Sequence, residues 1–158
     1  MTEIEKIHWL IDRERVRETV ACYPVAIDSR DWKLFRSIFT DEIEVLLTVA
    51  QGADRPHQRV NADRFTESVT KVITSFAATQ HFLTDYRVTV AGDTATCLSY
   101  MYARHIPPKD RPAQAIWDLG GYYEYHLKRS GNGWKIPKYS LIITWETNRP
   151  RDLAIDLG

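Results

Sequence analysis

From Thr79 onward the apolar period of the chain changes from helical to two, and no other feature constrains the fold as much. Thr79–Val90 and Thr94–His105 both alternate as strands, and Ala91-Gly92-Asp93 between them is a hairpin signal. Ile116–Arg129 and Trp134–Thr147 form a second such pair around Ser130-Gly131-Asn132-Gly133. Pro137 lacks a ladder donor, which puts it at an edge or a bulge. Gly120-Gly121 in mid-strand predicts a sharp bend or bulge, the device by which a sheet curls.

Upstream the pattern is mostly helical. Ile4, Ile7, Ile11, Val16, Val20, Tyr23 and Ile27 recur at three- to five-residue steps, with Asp12, Arg13, Arg15, Arg17 and Glu18 off the stripe. Pro24 predicts a kink or an end to this helix. Ser29 is positioned to cap a second helix, with Asp31 in its first turn and Trp32, Phe35 and Phe39 as its aromatic face. Ile43–Val49 is rich in β-branched and apolar residues and predicts a strand covered on both faces. Gln51–Arg59, with Gly52 and Pro56, predicts a loop. Asn61 predicts a cap to a third helix that buries Phe65, Val69, Val72 and Phe76. Three helices interrupted by one strand, then four long antiparallel strands, give an α+β fold with helices on one face of a strongly curled sheet. A helix across the open side of such a sheet encloses a cavity.

Composition narrows the function. The 158 residues are read as one domain, 1–158. Lys+Arg and Asp+Glu balance at 21 each, so charge makes no case for nucleic acid or an anionic membrane. No apolar run approaches the ~18 residues of a membrane span. The charged start MTEIEKIHWLIDRER lacks a signal-peptide pattern, and a cytoplasmic location is the expectation. Cys22 and Cys97 lie far apart and read as buried thiols. The tail 148–158 carries Leu153, Ile155 and Leu157, an apolar set suited to a lid or a subunit contact.

The candidate chemistry centres on Asp28, which lies where one helical pattern runs out and the next begins. Ile27 and Val25 precede it and Trp32 and Phe35 follow, so a carboxylate there needs a partner or a function. Of the five histidines, His8, His57 and His126 read as solvated. His81 opens the first long strand and His105 closes the second, and antiparallel pairing brings them to one end of the hairpin. His81 shares its face with Thr79 and Leu83 but also with Asp85 and Arg87, so alternation leaves its direction open. Two histidines and a carboxylate admit a His–Asp pair for proton transfer, or a two-His-one-carboxylate metal site. No HxD or HExxH spacing supports the metal, so no metal is expected, and the lack of GxGxxG or Walker motifs argues for no nucleotide cofactor. Tyr23 lies five residues before Asp28, about 140° around an ideal helix, so the two share a pocket only if a kink or helix end brings them round.

The chain resembles the SnoaL-like, scytalone dehydratase-like branch of the nuclear transport factor 2-like superfamily. The resemblance runs from about Ile4 to Trp145 and rests on YPVAIDSRDW, TQHFLTDYRV, YARH and GGYYEYHLKRSGNGWKI. It implies an α+β cone with a deep pocket and homodimeric or homotrimeric assembly. It also implies cofactor-free elimination in which a histidine supported by aspartate takes a proton. Scytalone dehydratase, the bile-acid dehydratases and hexachlorocyclohexane dehydrochlorinase are of this kind. Asp28 matches the family aspartate, and His81 the histidine of the TQHF-type segment. His105 matches the histidine that pairs with the aspartate in scytalone dehydratase. Tyr23 resembles the catalytic tyrosine of the bile-acid dehydratases. Ile27 and Leu47 stand where scytalone dehydratase has its two water-positioning tyrosines, and Gly121 and Tyr123 where it has a serine and an asparagine. Tyr139 stands where the dehydrochlorinase has a basic residue. The expected substrate is therefore an apolar cyclic molecule such as a steroid, terpenoid, polyketide or aromatic catabolite, but not scytalone. The expected reaction is elimination. Isomerisation or polyketide cyclisation by the same residues, or ligand binding without catalysis as in an oxygenase small subunit, are the alternatives. Trp32, Phe35, Phe39, Tyr100, Tyr102 and Tyr123 are the expected pocket walls.

Overall fold

The first helix does not stop at Pro24. In this computed structural model, which describes residues 1–49, 56–111, 114–151 and 153, α1 runs unbroken over Glu3–Ser29. Its start is a capping box, in which the Thr2 side chain accepts from the Glu5 amide and Glu5 accepts from the Thr2 amide. Pro24 removes one donor from the interior, a cost of about 3 kcal/mol. Val20, Tyr23, Ala26 and Ile27 are buried on either side of it, and their packing offsets that cost. The same stripe is unused at the other end of the helix, where Ile4, Ile7 and Ile11 are exposed.

Arg30 ends α1 in the left-handed conformation at φ 61°. This shifts the next cap from Ser29 to Asp31, whose carboxylate accepts from the Leu34 amide at 2.9 Å. Ser29 instead turns back to donate to the Val25 carbonyl. The second helix, α2 (Trp32–Ser37), is short, and Phe39 already belongs to β1 (Phe39–Val49). β1 is covered on one face only in its first half, where Ile43 and Val45 are buried while Glu42 and Glu44 face out; further on Leu46 is partly covered and Thr48 is buried. Gln58 and Arg59, expected to end a loop, instead open a short strand, β2 (Gln58–Asn61), and Gln51 and Gly52 lie outside the described residues. Asn61 caps α3 (Ala62–Ile73) through Asp63 and Arg64 amides, and Phe65, Val69, Val72 and Phe76 are buried.

β3 (Ala78–Ala91), β4 (Thr94–Ile106), β5 (Trp117–Ser130) and β6 (Gly133–Thr147) complete one sheet in the order β2-β1-β6-β5-β4-β3. Only the β1–β6 pairing is parallel. The sheet curls without closing, and α1 lies against β3, β4 and β6 on its inner side. The result is the expected α+β cone.

Among the described residues, four register shifts accompany the curl. The β5–β6 register shifts beside Pro137 and again between Gly120 and Gly121, the β1–β6 register shifts between Phe39 and Glu44, and the β3–β4 register shifts between Thr84 and Arg87, with Asp85 at φ 55°. At Gly120 a Cβ would enter the Trp145 indole, and at Gly121 it would strike the Ile142 carbonyl. Of the tail, Leu153 packs on the core, and Ile155 and Leu157 lie outside the described residues.

Because the Ile142 backbone has no room to move, Gly121→Ala is expected to destabilise the fold by about 2 kcal/mol or more. Gly92→Ala, at φ 60° in an open turn, should cost about 1 kcal/mol. Urea denaturation of both variants measures the difference. Equal, small costs would mean that the Gly121 bulge is not what sets the curl.

Candidate active site

The end of α1 and the start of β3 meet at Asp28. Its Oδ1 accepts from His81 Nδ1 at 2.7 Å and from the Thr79 hydroxyl at 2.9 Å. Its Oδ2 accepts from the His81 backbone amide at 2.7 Å and from Gln80 Nε2 at 3.4 Å. Four donors fill the carboxylate, so Asp28 has no free acceptor with which to take a proton from a substrate. Burial pushes its carboxyl pKa up, but the His81 imidazole and amide and the Thr79 hydroxyl outweigh this and leave it below the ordinary carboxylate value.

An ionised carboxylate can only accept, so Nδ1 of His81 carries a proton, and in the neutral ring Nε2 is the nitrogen with the lone pair. The His81 side chain is 6% exposed. It lines a cavity of about 650 Å³ between α1, α3 and the inner face of the sheet. The direction of His81, which alternation left open, is settled by the bulge at Asp85. Thr79, His81 and Leu83 lie on the inner face before it, and Tyr86, Val88 and Val90 after it.

Sequence reasoning does not single out Arg30 or Thr79, yet both hold the site. Arg30 Nη1 donates to the Thr79 hydroxyl at 2.7 Å and to the Ile27 carbonyl at 2.8 Å. It thus covers the free carbonyls at the negative end of α1, beside a carboxylate that this end of the helix dipole disfavours.

His105 is brought near His81, with ring centroids 5.3 Å apart, but it does not touch Asp28 as the resemblance to scytalone dehydratase implied. It stacks on Trp117 at 4.3 Å and meets Phe76 at 4.9 Å. Burial among these rings, and the neighbouring His81, drive its pKa down to about 3. His105 is therefore a neutral wall of the cavity.

Tyr23 also lines the cavity, one and a half turns before Asp28, whereas Asp28 is not among the lining residues and reaches the cavity through His81. Burial raises its phenol pKa, and the neighbouring phenols of Tyr139 and Tyr123 only partly offset this. Tyr123 lines the cavity as expected, and Tyr139, which sequence reasoning did not place there, does too.

The other expected walls are elsewhere. Phe35 and Phe39 are buried with Phe65 at ring distances of 5.2–5.9 Å, forming core rather than lining, and Trp32 packs edge-on to Phe35. Tyr100 and Tyr102 point to the outer face of the sheet. Tyr100 is 56% exposed, and Tyr102 stacks between Phe82 and Trp145 and donates to Asp118. The pairing of β4 with β5 is continuous from Thr94 to His105, so residues out of phase with His105 must face away from it.

Among the described residues, no group of three or more His, Cys, Asp or Glu side chains converges as a metal site would require, and no helix is long and apolar enough to cross a membrane.

The model of the SnoaL-like domain matches residues 9–140. A Penicillium crustosum protein named for the terrestric acid biosynthesis cluster is 28% identical over 143 residues, covering 86% of this chain and 85% of its own. A scytalone dehydratase-like structure from Novosphingobium aromaticivorans superposes with a TM-score of 0.75 at 20% identity, covering 94% of this chain and 95% of that one. A second structure from that organism, an NTF2-like protein with a cystatin-like fold, superposes at 0.68 with 18% identity, over 89% and 86% of the two chains. At such identities the two structures establish the fold.

The depressed pKa of His105 has a sign that can be tested. A histidine whose folded pKa lies below its unfolded value contributes stability that is complete above about 6.5 and is lost as pH falls toward about 3. Asp28, also depressed, contributes stability present above about 3.8 and lost below it. The imidazole resonances of His105 are therefore expected to stay those of a neutral ring down to pH 5 in an NMR titration. In His105→Phe, the slope of stability between pH 6.5 and 4 should flatten. A His105 midpoint near 6.5 would overturn this account.

Proposed function

We propose, from the premise that the chain belongs to the SnoaL-like domain family, that it is a dehydratase-type lyase. It works without a cofactor on an apolar cyclic small molecule of the steroid, terpenoid, polyketide or aromatic-catabolite kind. The observation that carries this reading is the contact of His81 Nδ1 with Asp28 at 2.7 Å, which leaves Nε2 as a free base at the cavity. The likeness in fold to a scytalone dehydratase-like protein supports it.

His81 Nε2 takes a proton from carbon. The C–H electron pair becomes the new C=C bond, and the hydroxyl on the neighbouring carbon leaves. Tyr23, kept protonated by burial, gives its proton to that hydroxyl, so that one water is lost. The proton on His81 then returns to the phenolate of Tyr23 through the departing water or solvent. Asp28 holds the ring in one tautomer and stabilises the imidazolium while it lasts. A binding protein has no need of an imidazole held by both its ring and its backbone. If the proton returns to a different carbon with no loss of water, the same first step makes an isomerase.

His81→Ala is expected to lower turnover by about 10²–10⁴-fold on a compound found by screening hydroxylated cyclic molecules. Asp28→Asn, which spoils the tautomer and removes the counter-charge, should cost at least tenfold, with an unchanged circular dichroism spectrum in both variants. Mass spectrometry of the product distinguishes loss of one water from unchanged mass. Full activity of His81→Ala would sink the assignment.

A further inference from the structure

The arginines that serve the fold are saturated. Arg129 clasps Asp12 with two nitrogens at 3.0 and 2.9 Å and reaches Asp93 at 2.8 Å. Arg104 holds Asp118 with two nitrogens. Arg36 bridges Asp41 and Asp63. Arg149 differs. Among the described residues its one ion-pair contact is Glu146 Oε1 at 3.4 Å, three residues back, and its side chain is 46% exposed. It nevertheless lines the cavity, and among the described lining residues it is the only lysine or arginine, with no Asp or Glu beside it in the wall.

Its position is built by the local backbone. Asn148 adopts φ 58° just beyond β6, and its side-chain amide donates to the Ile116 carbonyl at 3.1 Å. This turns the chain back over the cavity, and Leu153 follows onto the wall. The bulge at Thr144 puts Glu146 on the inner side, where its other oxygen accepts from Trp117 Nε1 at 3.1 Å. Trp117 stacks on His105, which meets His81. Arg149 thus stands at the histidine end of the cavity, one indole away from His105.

We infer that Arg149 anchors a carboxylate of the substrate, so the molecule handled is an apolar cyclic acid. This rests on the reading of the cavity as a substrate site. The remaining walls are mostly apolar (Ile27, Val45, Val69, Leu141 and Ile143) and suit a ring system. A charged group buried among them would be costly without a partner. At the mouth a carboxylate keeps part of its hydration and meets a guanidinium that, among the described residues, makes one long hydrogen bond, a pairing suited to two parallel hydrogen bonds. The Glu146 carboxylate competes for one of the N–H donors, but its hold is a single long contact.

The test is binding rather than turnover. Pyrene-1-carboxylate and its methyl ester share a ring body and differ in charge, and intrinsic fluorescence reports the affinity of each. The acid is expected to bind the wild-type protein about tenfold more tightly than the ester, with the gap narrowing at high salt. In Arg149→Gln the acid should fall to within about twofold of the ester, while ester affinity holds, showing that the cavity is intact. His81→Ala should keep the preference for the acid, so that loss of activity there and loss of the anchor here are separate results. Equal binding of acid and ester by the wild type, an acid preference that survives Arg149→Gln, or no binding of the acid at all would each overturn the inference.

Discussion

One carboxylate ties the helical layer of this protein to the sheet. Asp28 closes the last turn of α1, and the groups that satisfy it come from the first residues of β3, Thr79, Gln80 and His81. A carboxylate at a helix C-terminus opposes the local dipole and is half-withdrawn from water, two costs at once. They are tolerated because β3 delivers a backbone amide, a hydroxyl and an imidazole, and because Arg30 neutralises the helix end from the other side. The position of the helix across the cone and the direction of the His81 imidazole are thus fixed by the same contacts.

The shape of the cavity depends on where the strands break their own alternation. Each bulge exchanges the two faces of a strand. The Asp85 bulge lets β3 offer His81 to the cavity and pack Leu83 on the core, and then bury Val88 on the same side. The one at Gly120-Gly121 sends Trp145 outward to stack on Tyr102 while Glu146 turns inward to Trp117. Pro137 marks a third, keeping Tyr139, Leu141 and Ile143 on the cavity side after Trp134 and Ile136 have filled the core. A continuous alternating strand could not serve both the closed and the open end of the cone.

This also explains what the sequence could and could not reveal. Four strands, two hairpins and the Asn61 cap were legible because period-two patterns and cap residues act locally. The Gly-Gly bulge and the Pro137 bulge were legible for the same reason: each residue type has few places it can stand. The Asp85 bulge carried no such mark, so whether His81 faced inward was undetermined. Of the kink or end that Pro24 predicted, the end did not come, because the local cost of the proline is smaller than the burial gained by continuing α1, a tertiary term. Ser29 misled because a single left-handed residue, Arg30, moved the cap by two positions. Tyr100 and Tyr102 were aromatic enough for a wall, yet they are out of phase with His105 on a strand free of bulges, and parity alone sends them outward. Arg30 and Thr79 gave no signal, since their importance is a matter of what they touch.

The two histidines illustrate how packing divides one residue type into two roles. Their rings are 5.3 Å apart, close enough that two positive charges in an apolar cavity would repel strongly. The conflict is resolved before any ligand arrives. His105, stacked on Trp117 and packed against Phe76, stays neutral, and the Asp28 carboxylate is committed to the other ring. In the proposed reaction the proton taken in the cavity goes to His81, where Asp28 already stands at 2.7 Å to receive the charge. No dipole or side chain has to reorganise when the imidazolium forms, and that is the condition under which electrostatic support lowers a barrier most.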